Sequence, residues 1–477
     1  MLEHSIKWYA VLTIEQCQKA RDAKDPRFDG KFFVLVKTTG IFCRPVCKVR
    51  APLENNVDYT HSALDALRLG YRPCLRCRPE SAPQSHAWLG IQTTVKRAAN
   101  MLSTQHHRSI QDIAERLGIS TRYLHKLMTT HFQLQPKQFR IYQQVLLAKK
   151  LLQSSTMNIE QVAQGAGFGS ARQLQYHFKK IVSLTPTQTR TSQARRPSVA
   201  DTLISKDADM PKLQSVCITL PYQGEYDWPL IRAFFQKRII KNNEHISDNC
   251  FTKTLNISDT AVRVAMHHHA KTHSFDVRFD ATALIHTAEI IKQVSTILDL
   301  YANPFAVFDA IKSTGLHEKH VNFGLRIPGI ASRFEAGIRA ILGQQVSVQA
   351  AITQVNRLQQ GLCGESEQLL SALHIVNSDL GFLKLPEARK NALRNFAQLK
   401  LENEHADFDR WLDIKGIGPW TVNYVKLRAT DDTDVWLDTD LIIKQQIQAL
   451  SDAGIALNHR QAAPWRSYLT LSLWNLA

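Results

Sequence analysis

Residues 412–421 read Leu-Asp-Ile-Lys-Gly-Ile-Gly-Pro-Trp-Thr, so two glycines and a proline interrupt a helical pattern. Because Gly416 and Gly418 lack a Cβ, a turn here can approach another molecule closely and direct backbone amides at a phosphate. We therefore expect a helix-hairpin-helix. A Gly-x-Gly turn is weak evidence by itself, but Trp420 is followed twenty residues later by Asp440, within Val435-Trp-Leu-Asp-Thr-Asp-Leu-Ile-Ile-Lys444.

Length and charge indicate how many domains the chain contains and what kind of partner it binds. A chain of 477 residues predicts several domains, at roughly 100–200 residues each. The formal net charge is +17, and it is unevenly distributed: residues 1–200 hold 30 Lys and Arg against 12 Asp and Glu, whereas residues 201–477 hold 29 against 30. The basic first part predicts a polyanionic partner, double-stranded DNA.

Membrane and secretion signals are not evident in the sequence. No stretch approaches the eighteen or so uninterrupted apolar residues of a membrane span, and Glu3, His4 and Lys7 interrupt any signal-peptide core. We therefore expect a cytoplasmic protein without a membrane partner. In a reducing compartment, cysteines are typical of metal or thiol chemistry rather than disulfides.

Four of the eight cysteines cluster in the sequence. Three residues separate Cys43 from Cys47, two separate Cys74 from Cys77, and 26 separate the pairs. This spacing predicts one tetrahedral zinc site with four cysteine ligands. From spacing alone, a purely structural zinc ribbon remains the first alternative.

Pattern changes along the chain predict four modules and a linker, and so a multidomain α+β protein. Residues 1–82 form a small zinc-binding α/β domain with a strand near Lys31–Lys37, and residues 87–190 an all-α domain. Residues 191–211 read as a linker, because Arg190–Pro211 is polar and lacks periodicity. Residues 212–300 form a mixed α+β subdomain with strands at Ser215–Leu220 and Ala261–Ala265, and residues 301–477 an all-α helix-hairpin-helix domain.

The second module contains a weak internal repeat. Ala114 and Ala163 each precede a glycine, Gly118 and Gly167, by four positions, as a helix-turn-helix requires. Recognition helices are expected near Ser120–Thr129 and Ser170–Lys179. The side chains expected to reach a major groove are Arg122, Lys126, Arg172 and Gln173. A helical repeat without DNA contacts is the alternative.

The cysteine segments Thr38-Thr-Gly-Ile-Phe-Cys-Arg-Pro-Val-Cys47 and Gly70-Tyr-Arg-Pro-Cys-Leu-Arg-Cys-Arg-Pro79 resemble the methyl-acceptor domain of Ada-type DNA-repair regulators. The resemblance implies that zinc-bound Cys43 accepts a methyl group from a methylated DNA phosphate, with Cys47, Cys74 and Cys77 as permanent ligands. Arg44 and Arg72 would then contact the DNA backbone.

The second module resembles the AraC-type DNA-binding domain over about residues 88–190. The glycine usually found shortly before the proline is replaced by Gln133 and Ser183, so we expect the helix ends there to differ locally. The resemblance implies a transcriptional activator with RNA polymerase as a partner.

Residues 213–477 resemble the AlkA-type alkyladenine glycosylases through the hairpin, Arg326-Ile-Pro-Gly329, Phe334–Ser347 and Tyr226-Asp-Trp228. The resemblance implies that Asp440 is the catalytic carboxylate, with Asp438 as the alternative two positions earlier. Related enzymes that also cleave the strand carry a lysine where this chain has Trp420, so a simple glycosylase is expected.

The same resemblance supplies the remaining site residues. The aromatic base pocket would contain Phe234, Trp420, Tyr424 and Trp474. Gln345 would fill the gap left by the flipped base, a place where known relatives carry leucine. A monovalent cation at the hairpin and a monomeric state are further expectations.

The sequence thus predicts a methyl-sensing activator joined to a methyladenine-type DNA glycosylase. One competitor is a regulator whose carboxyl-terminal half only holds DNA. Another, an Ada protein with a methylguanine methyltransferase half, is disfavoured because no Pro-Cys-His-Arg motif occurs. The run His267–His269 suggests a metal site less well than an exposed turn after the Ala261–Ala265 strand, because consecutive histidines point to different faces of a strand.

Overall fold

The computed structural model describes residues 12–476, apart from residues 48, 50, 62–64, 67–68, 75, 78, 80–91, 192–214, 259, 365–367 and 403–407. Nearly all of the predicted linker lies outside the described residues. The described part combines all-helical regions with two antiparallel-rich sheets, which confirms the multidomain α+β prediction. None of its helices is both long and apolar enough to cross a bilayer.

A four-stranded sheet organises the cysteine-rich segment. Its elements are α1 (Ile14–Ala23), β1 (Phe33–Val36), β2 (Ile41–Cys43), β3 (Val57–Thr60) and β4 (Arg72–Pro73). The strand order is β3-β1-β2-β4, with β4 parallel to β2 and the other pairs antiparallel. β1 confirms the strand predicted within Lys31–Lys37. One face of this sheet carries a hydrophobic cluster of Phe33, Leu35, Phe42 and Ala66, and Phe32, Val34 and Val57 are also buried.

Helices make up residues 92–191: α2 (Gln92–Thr104), α3 (Ile110–Arg116), α4 (Thr121–Phe132), α5 (Pro136–Ser154), α6 (Ile159–Gly165), α7 (Ala171–Val182) and α8 (Pro186–Thr191). The two predicted pairs are α3 with α4 and α6 with α7. Ala114 and Ala163 are buried, and the turn glycines Gly118 and Gly167 have φ of +68° and +79°. Both helix-turn-helix units therefore form as the repeat predicted.

The ends of α4 and α7 keep a left-handed turn although glycine is missing. Gln133 and Ser183 have φ of 56° and 65°, and their backbone N–H groups donate to Thr129 O and Lys179 O. A non-glycine residue in this region costs about 1–2 kcal/mol. The missing glycine thus carries an energetic cost, while the backbone retains the capped turn.

A five-stranded antiparallel sheet follows. Its elements are β5 (Ser215–Pro221), α9 (Trp228–Gln236), β6 (Glu244–Ile246), β7 (Cys250–Ile257), β8 (Thr260–His269), β9 (Ser274–Asp280) and α10 (Thr287–Ile297), in the strand order β5-β9-β8-β7-β6. Both strands predicted here are present. Asp227 caps α9 and Trp228 is buried, so the Tyr226-Asp-Trp228 motif starts that helix.

The histidine run occupies a different place from the one expected. His267, His268 and His269 continue β8 instead of forming a turn. His268 packs against Tyr222 and Phe275, and burial lowers its pKa to about 4. Among the described residues, the only group able to hold a metal is the cysteine cluster.

The rest of the chain is helical: α11 (Pro304–Lys312), α12 (Arg333–Leu342), α13 (Val348–Cys363), α14 (Ala372–Val376), α15 (Glu387–Glu402), α16 (Phe408–Leu412), α17 (Pro419–Ala429), α18 (Leu441–Asp452) and α19 (Arg466–Asn475).

A buried ion network ties α12 to the sheet. Lys253 Nζ lies 2.5 Å from Glu244 Oε1 and 2.9 Å from Glu335 Oε1, and Arg339 Nη2 lies 2.8 Å from each of these two oxygens. Burial alone would raise the pKa of Glu335, but Lys253 and Arg339 lower it to about 2.

Two compact units are present. The smaller contains Met1–Leu102, Arg108–Phe139 and Arg460–Pro464, and the larger contains Ser103–His107, Arg140–His459 and Trp465–Ala477, so the main boundary along the chain falls at the start of α5. In the larger unit, the second helix-turn-helix shares one hydrophobic cluster with the five-stranded sheet. Gly165 is tightly packed: a Cβ there would lie 3.2 Å from Thr287 Oγ1 and 3.5 Å from Leu284 Cδ2, both beyond the end of β9, and 3.3 Å from Leu151 Cδ1 in α5. The second pair and the sheet therefore have a common core.

Gly165→Leu should destabilise this common core by about 1–3 kcal/mol, because the added side chain has no room. Thermal or denaturant unfolding of the full chain checks the loss. Gln164→Leu, at an exposed position of the same helix, should change the free energy of unfolding by less than about 0.5 kcal/mol. Equal effects of the two substitutions would contradict the packing described here.

Candidate functional site

The four clustered cysteines meet beside the small sheet. Cys43 ends β2 and Cys74 directly follows β4, while Cys47 and Cys77 lie in the turns beyond. Their four Sγ atoms all lie within 4.8 Å of one another. Sulfur ligands at 2.3 Å from a zinc ion are separated by about 3.8 Å, so small inward shifts give a tetrahedral site. The residues fit a four-cysteine zinc ion.

The four sulfurs differ in their surroundings. The Arg44 backbone N–H donates to Cys77 Sγ at 3.3 Å, and the Val49 backbone N–H donates to the Cys47 sulfur. Cys74 is buried. A hydrogen bond to Cys77, with burial second, raises the pKa of Cys43, and the same bond lowers the pKa of Cys77 to about 6. The closely spaced thiols thus share protons through hydrogen bonds between their sulfurs, and a divalent cation would instead compensate the charge of four thiolates.

The arginines around the cysteines divide into two kinds. Arg44 is half-buried, and its guanidinium pairs with both carboxylate oxygens of Asp29 and donates to Cys77 O at 3.2 Å. It therefore braces the cysteine loop. Arg72 and Arg76 are exposed and available to a polyanion.

Helices are present at both places where recognition helices are predicted, as α4 and α7. Ser120 and Ser170 cap them by accepting from the backbone N–H groups of Tyr123 and Gln173. Four predicted contact residues are exposed: Arg122, Lys126, Arg172 and Gln173. The Gln173 side chain also accepts from the Gly169 backbone N–H at 3.2 Å, so part of its hydrogen-bonding capacity is used within the turn.

The Asp440 carboxylate is the centre of the carboxyl-terminal site. Trp420 Nε1 donates to Asp440 Oδ2 at 2.9 Å, and Trp474 Nε1 donates to Oδ1 at 3.2 Å. Asp440 also caps α18, because Oδ1 accepts from the Ile443 backbone N–H at 3.1 Å. The residue is only 8% exposed, whereas the alternative, Asp438, is exposed. Three helices thus converge on one buried carboxylate.

Aromatic rings surround this carboxylate. Trp420 stacks on Tyr424 with 5.5 Å between the ring centroids, and the ring centroids of Tyr424 and Trp474 lie 6.3 Å apart. Phe234, the fourth predicted pocket residue, is buried beneath two guanidinium groups, Arg238 at 3.6 Å and Arg428 at 4.7 Å from the ring centroid. Phe234 is therefore partly covered by cations, whereas the other three rings frame Asp440.

Three residues absent from the sequence-based site belong to it. Arg428 donates to Tyr424 OH at 3.0 Å and also to Pro328 O. Arg238 lies against Phe234, and Gln344 bonds the hairpin. Arg428 follows the predicted pocket aromatic Tyr424 by four positions on α17, a spacing that places both on the same face, whereas Arg238 follows Phe234 by four positions but lies just beyond the end of α9. That signal was available in the sequence.

The hairpin has the predicted form. Gly416 is exposed with φ of +97°, and Gly418 precedes Pro419, the first residue of α17. The free N–H groups of the first helical turn carry the positive end of the helix dipole, which suits a phosphate.

Comparison with known proteins gives three successive family matches. Residues 16–80 match the metal binding domain of Ada, residues 113–192 match a helix-turn-helix domain, and residues 217–332 match the AlkA N-terminal domain. DNA-3-methyladenine glycosylase 2 of Escherichia coli is 30% identical, over 54% of this chain and 96% of that protein. The transcriptional activator and DNA repair enzyme AdaA of Bacillus subtilis is 30% identical, over 39% of this chain and 88% of that protein.

The chain belongs to the Ada and AlkA families. A "probable bifunctional transcriptional activator/DNA repair enzyme AlkA" of Mycobacterium tuberculosis is 28% identical over 96% of this chain and 96% of that protein, so the similarity covers nearly the full length of both. The resemblances to the Ada-type and AlkA-type families inferred from the sequence are thereby confirmed, and a helix-turn-helix domain matches where the AraC-type resemblance was found.

Removing one ligand of the Ada-type site should abolish zinc binding. We expect one zinc per chain in the purified protein, and far less in Cys77→Ala, because three thiolates leave a tetrahedral site incomplete. Elemental analysis gives the zinc content. Cys217→Ser, outside the cluster, is the matched control and should keep one zinc; equal zinc content in the two variants would refute the site.

Proposed function

We propose that this protein is a bifunctional alkylation-damage response protein. Its zinc-bound Cys43 accepts a methyl group from DNA methylphosphotriesters, and its helix-turn-helix domain then activates transcription. Its carboxyl-terminal half excises methyladenine-type bases as a monofunctional DNA glycosylase. The observation that carries the enzymatic part is the buried Asp440 carboxylate held between two indole N–H groups beside a helix-hairpin-helix.

Methyl transfer requires one reactive sulfur. Cys43 is partly exposed at the end of a strand, whereas Cys74 is buried and Cys47 and Cys77 each accept a backbone N–H, which withdraws electron density from their sulfurs. Zinc, when bound, keeps the four thiols deprotonated at neutral pH. The Cys43 thiolate attacks the methyl carbon; the carbon–oxygen bond breaks, and the phosphate oxygen keeps the electron pair. One thiolate charge disappears, so repulsion of DNA phosphates falls.

Base excision requires stabilisation of a cationic sugar. The Asp440 carboxylate supplies negative charge, and its three N–H donors fix its orientation without neutralising it. It also orients the attacking water. Trp420, Tyr424 and Trp474 offer faces on which a cationic methylated base gains about 0.5–2 kcal/mol over a neutral one.

Other parts of the proposal rest on the family resemblance alone. Phe234 would complete the base pocket, and Gln345 would fill the gap in the duplex. The hairpin would hold a monovalent cation, and RNA polymerase would be the partner during activation. We also propose a cytoplasmic monomer with four functional regions: residues 1–82, 87–190, 212–300 and 301–477.

Incubation with duplex DNA that contains methylphosphotriesters should leave one methyl group on Cys43. A thioether offers no easy route back, so each molecule should react once. Peptide mass mapping locates the methyl group, and Cys363→Ser, at a buried cysteine remote from the cluster in sequence, serves as control. A methyl group on Cys47, Cys74 or Cys77 would refute the assignment of the acceptor.

Asp440→Asn should slow release of methylated adenine by about two to three orders of magnitude, since the change removes a transition-state interaction of roughly 3–4 kcal/mol. Single-turnover assays of released base measure this, and binding to lesion DNA should persist. The matched control Asp438→Asn changes an exposed carboxylate and should keep the wild-type rate. A carboxyl-terminal half that only holds DNA would release no base even in the wild type.

A further inference from the structure

The loop between α12 and α13, residues 343–347, carries a strained and exposed residue. Gln345 has φ of 56° and is exposed, and Val346 and Val348 beside it are 41% and 44% exposed. A non-glycine residue in the left-handed region persists only where its surroundings hold the backbone. We call residues 343–347 the wedge loop, since Gln345 is its tip.

Gln344, one residue before the tip, ties the wedge loop to the hairpin. Its Nε2 donates to Gly416 O at 2.8 Å and to Thr421 Oγ1 at 2.9 Å. Thr421 is 2% exposed and lies in the first turn of α17. At the other end of the loop, Ser347 accepts from the Ala350 backbone N–H and caps α13. The strained tip is thus held from both sides.

The same tie leads to the carboxylate. Thr421 follows Trp420, whose indole donates to Asp440. The Gln344 side-chain amide therefore connects the loop that bears Gln345 to the hairpin at Gly416. Through Thr421 and its neighbour Trp420, the same amide is also connected to the buried Asp440 carboxylate.

We propose that Gln344 is a positioning residue for base excision, which holds the wedge loop in register with the hairpin. The inference rests on the proposed glycosylase function. When the hairpin binds the DNA backbone, the tip of the wedge loop, Gln345, already points to the gap in the duplex. The loop then needs no further ordering. Gln344 itself contacts neither the base nor the sugar.

The chemistry of the contact explains why the residue is a glutamine. Both acceptors are neutral oxygens, and a neutral amide offers two N–H donors from one nitrogen. A glutamate has nearly the same shape, but it cannot donate and would place a negative charge against a carbonyl oxygen. A leucine fills the space and leaves both acceptors without this donor.

The test compares full-length, zinc-loaded Gln344→Glu and Gln344→Leu with the wild type on duplex DNA that contains one methylated adenine. Losing two hydrogen bonds, of which the one to Thr421 is partly buried, should lower the single-turnover rate roughly tenfold, with a smaller change in the dissociation constant for DNA. A 2-aminopurine placed beside the lesion should show less fluorescence increase, because fewer bases flip. Gln349→Glu, an exposed glutamine on α13, adds the same charge nearby and should weaken binding without slowing excision.

Wild-type rates and fluorescence in both Gln344 variants would overturn the inference alone; absence of excision by the wild type would overturn the proposed function and the inference with it. If a Gln344 variant does not fold, Thr421→Val removes one of the two acceptors and should slow excision in the same direction. In that variant, an unchanged rate overturns the inference. The excision rate of the double variant Gln344→Leu/Thr421→Val should fall by less than the product of the two single reductions, because both substitutions remove the same contact between Gln344 and Thr421.

Discussion

A buried carboxylate must be hydrogen-bonded, and the arrangement of the carboxyl-terminal half depends on meeting that requirement at Asp440. Its donors come from three helices: Trp420 in α17, Ile443 in α18 and Trp474 in α19. An unpaired buried charge would cost several kcal/mol and would tend to take up a proton. The three N–H groups therefore satisfy the buried carboxylate, and they fix the three helices relative to one another.

The cysteine cluster must also have its charge compensated, but there the compensation has to come from a cation instead of N–H donors. Four thiols held within 4.8 Å cannot all ionise unless a cation compensates them, so we expect a metal ion to stabilise that part of the fold. Using one ligand as a nucleophile is chemically economical, because the ion that stabilises the fold also produces the thiolate.

Charge and packing connect the regions of the larger compact unit in ways that function alone would not suggest. An ion network of Lys253, Glu244, Glu335 and Arg339 joins the five-stranded sheet to α12. Because Arg339 also donates to Arg238 O, this network supports Arg238, which lies just beyond the end of α9 and covers Phe234. In the second helix-turn-helix, Gly165 packs near Leu284 and Thr287, which follow β9, and this pair of helices shares one hydrophobic cluster with the sheet. In this protein the glycosylase-like half and part of the DNA-binding domain are packed as one body.

Much of the chemistry could be predicted from local sequence. The spacing of Cys43, Cys47, Cys74 and Cys77, the repeat around Gly118 and Gly167, and the hairpin followed by Asp440 each determine a local structure, because ligand geometry and turn conformation act over a few residues. The histidine run was predicted wrongly as a turn because strand length depends on pairing: β7 pairs with β8 as far as His267, and β9 pairs with it as far as His269. The division of the compact units at α5, the ion network, the Arg428 guanidinium group over Phe234 and the Gln344 tie were decided only by tertiary structure. The contacts of Glu335 with Lys253, of Arg428 with Phe234 and of Gln344 with Gly416 join residues about 70 to nearly 200 positions apart, and no local pattern records which distant groups will neutralise a buried charge or hold a strained loop.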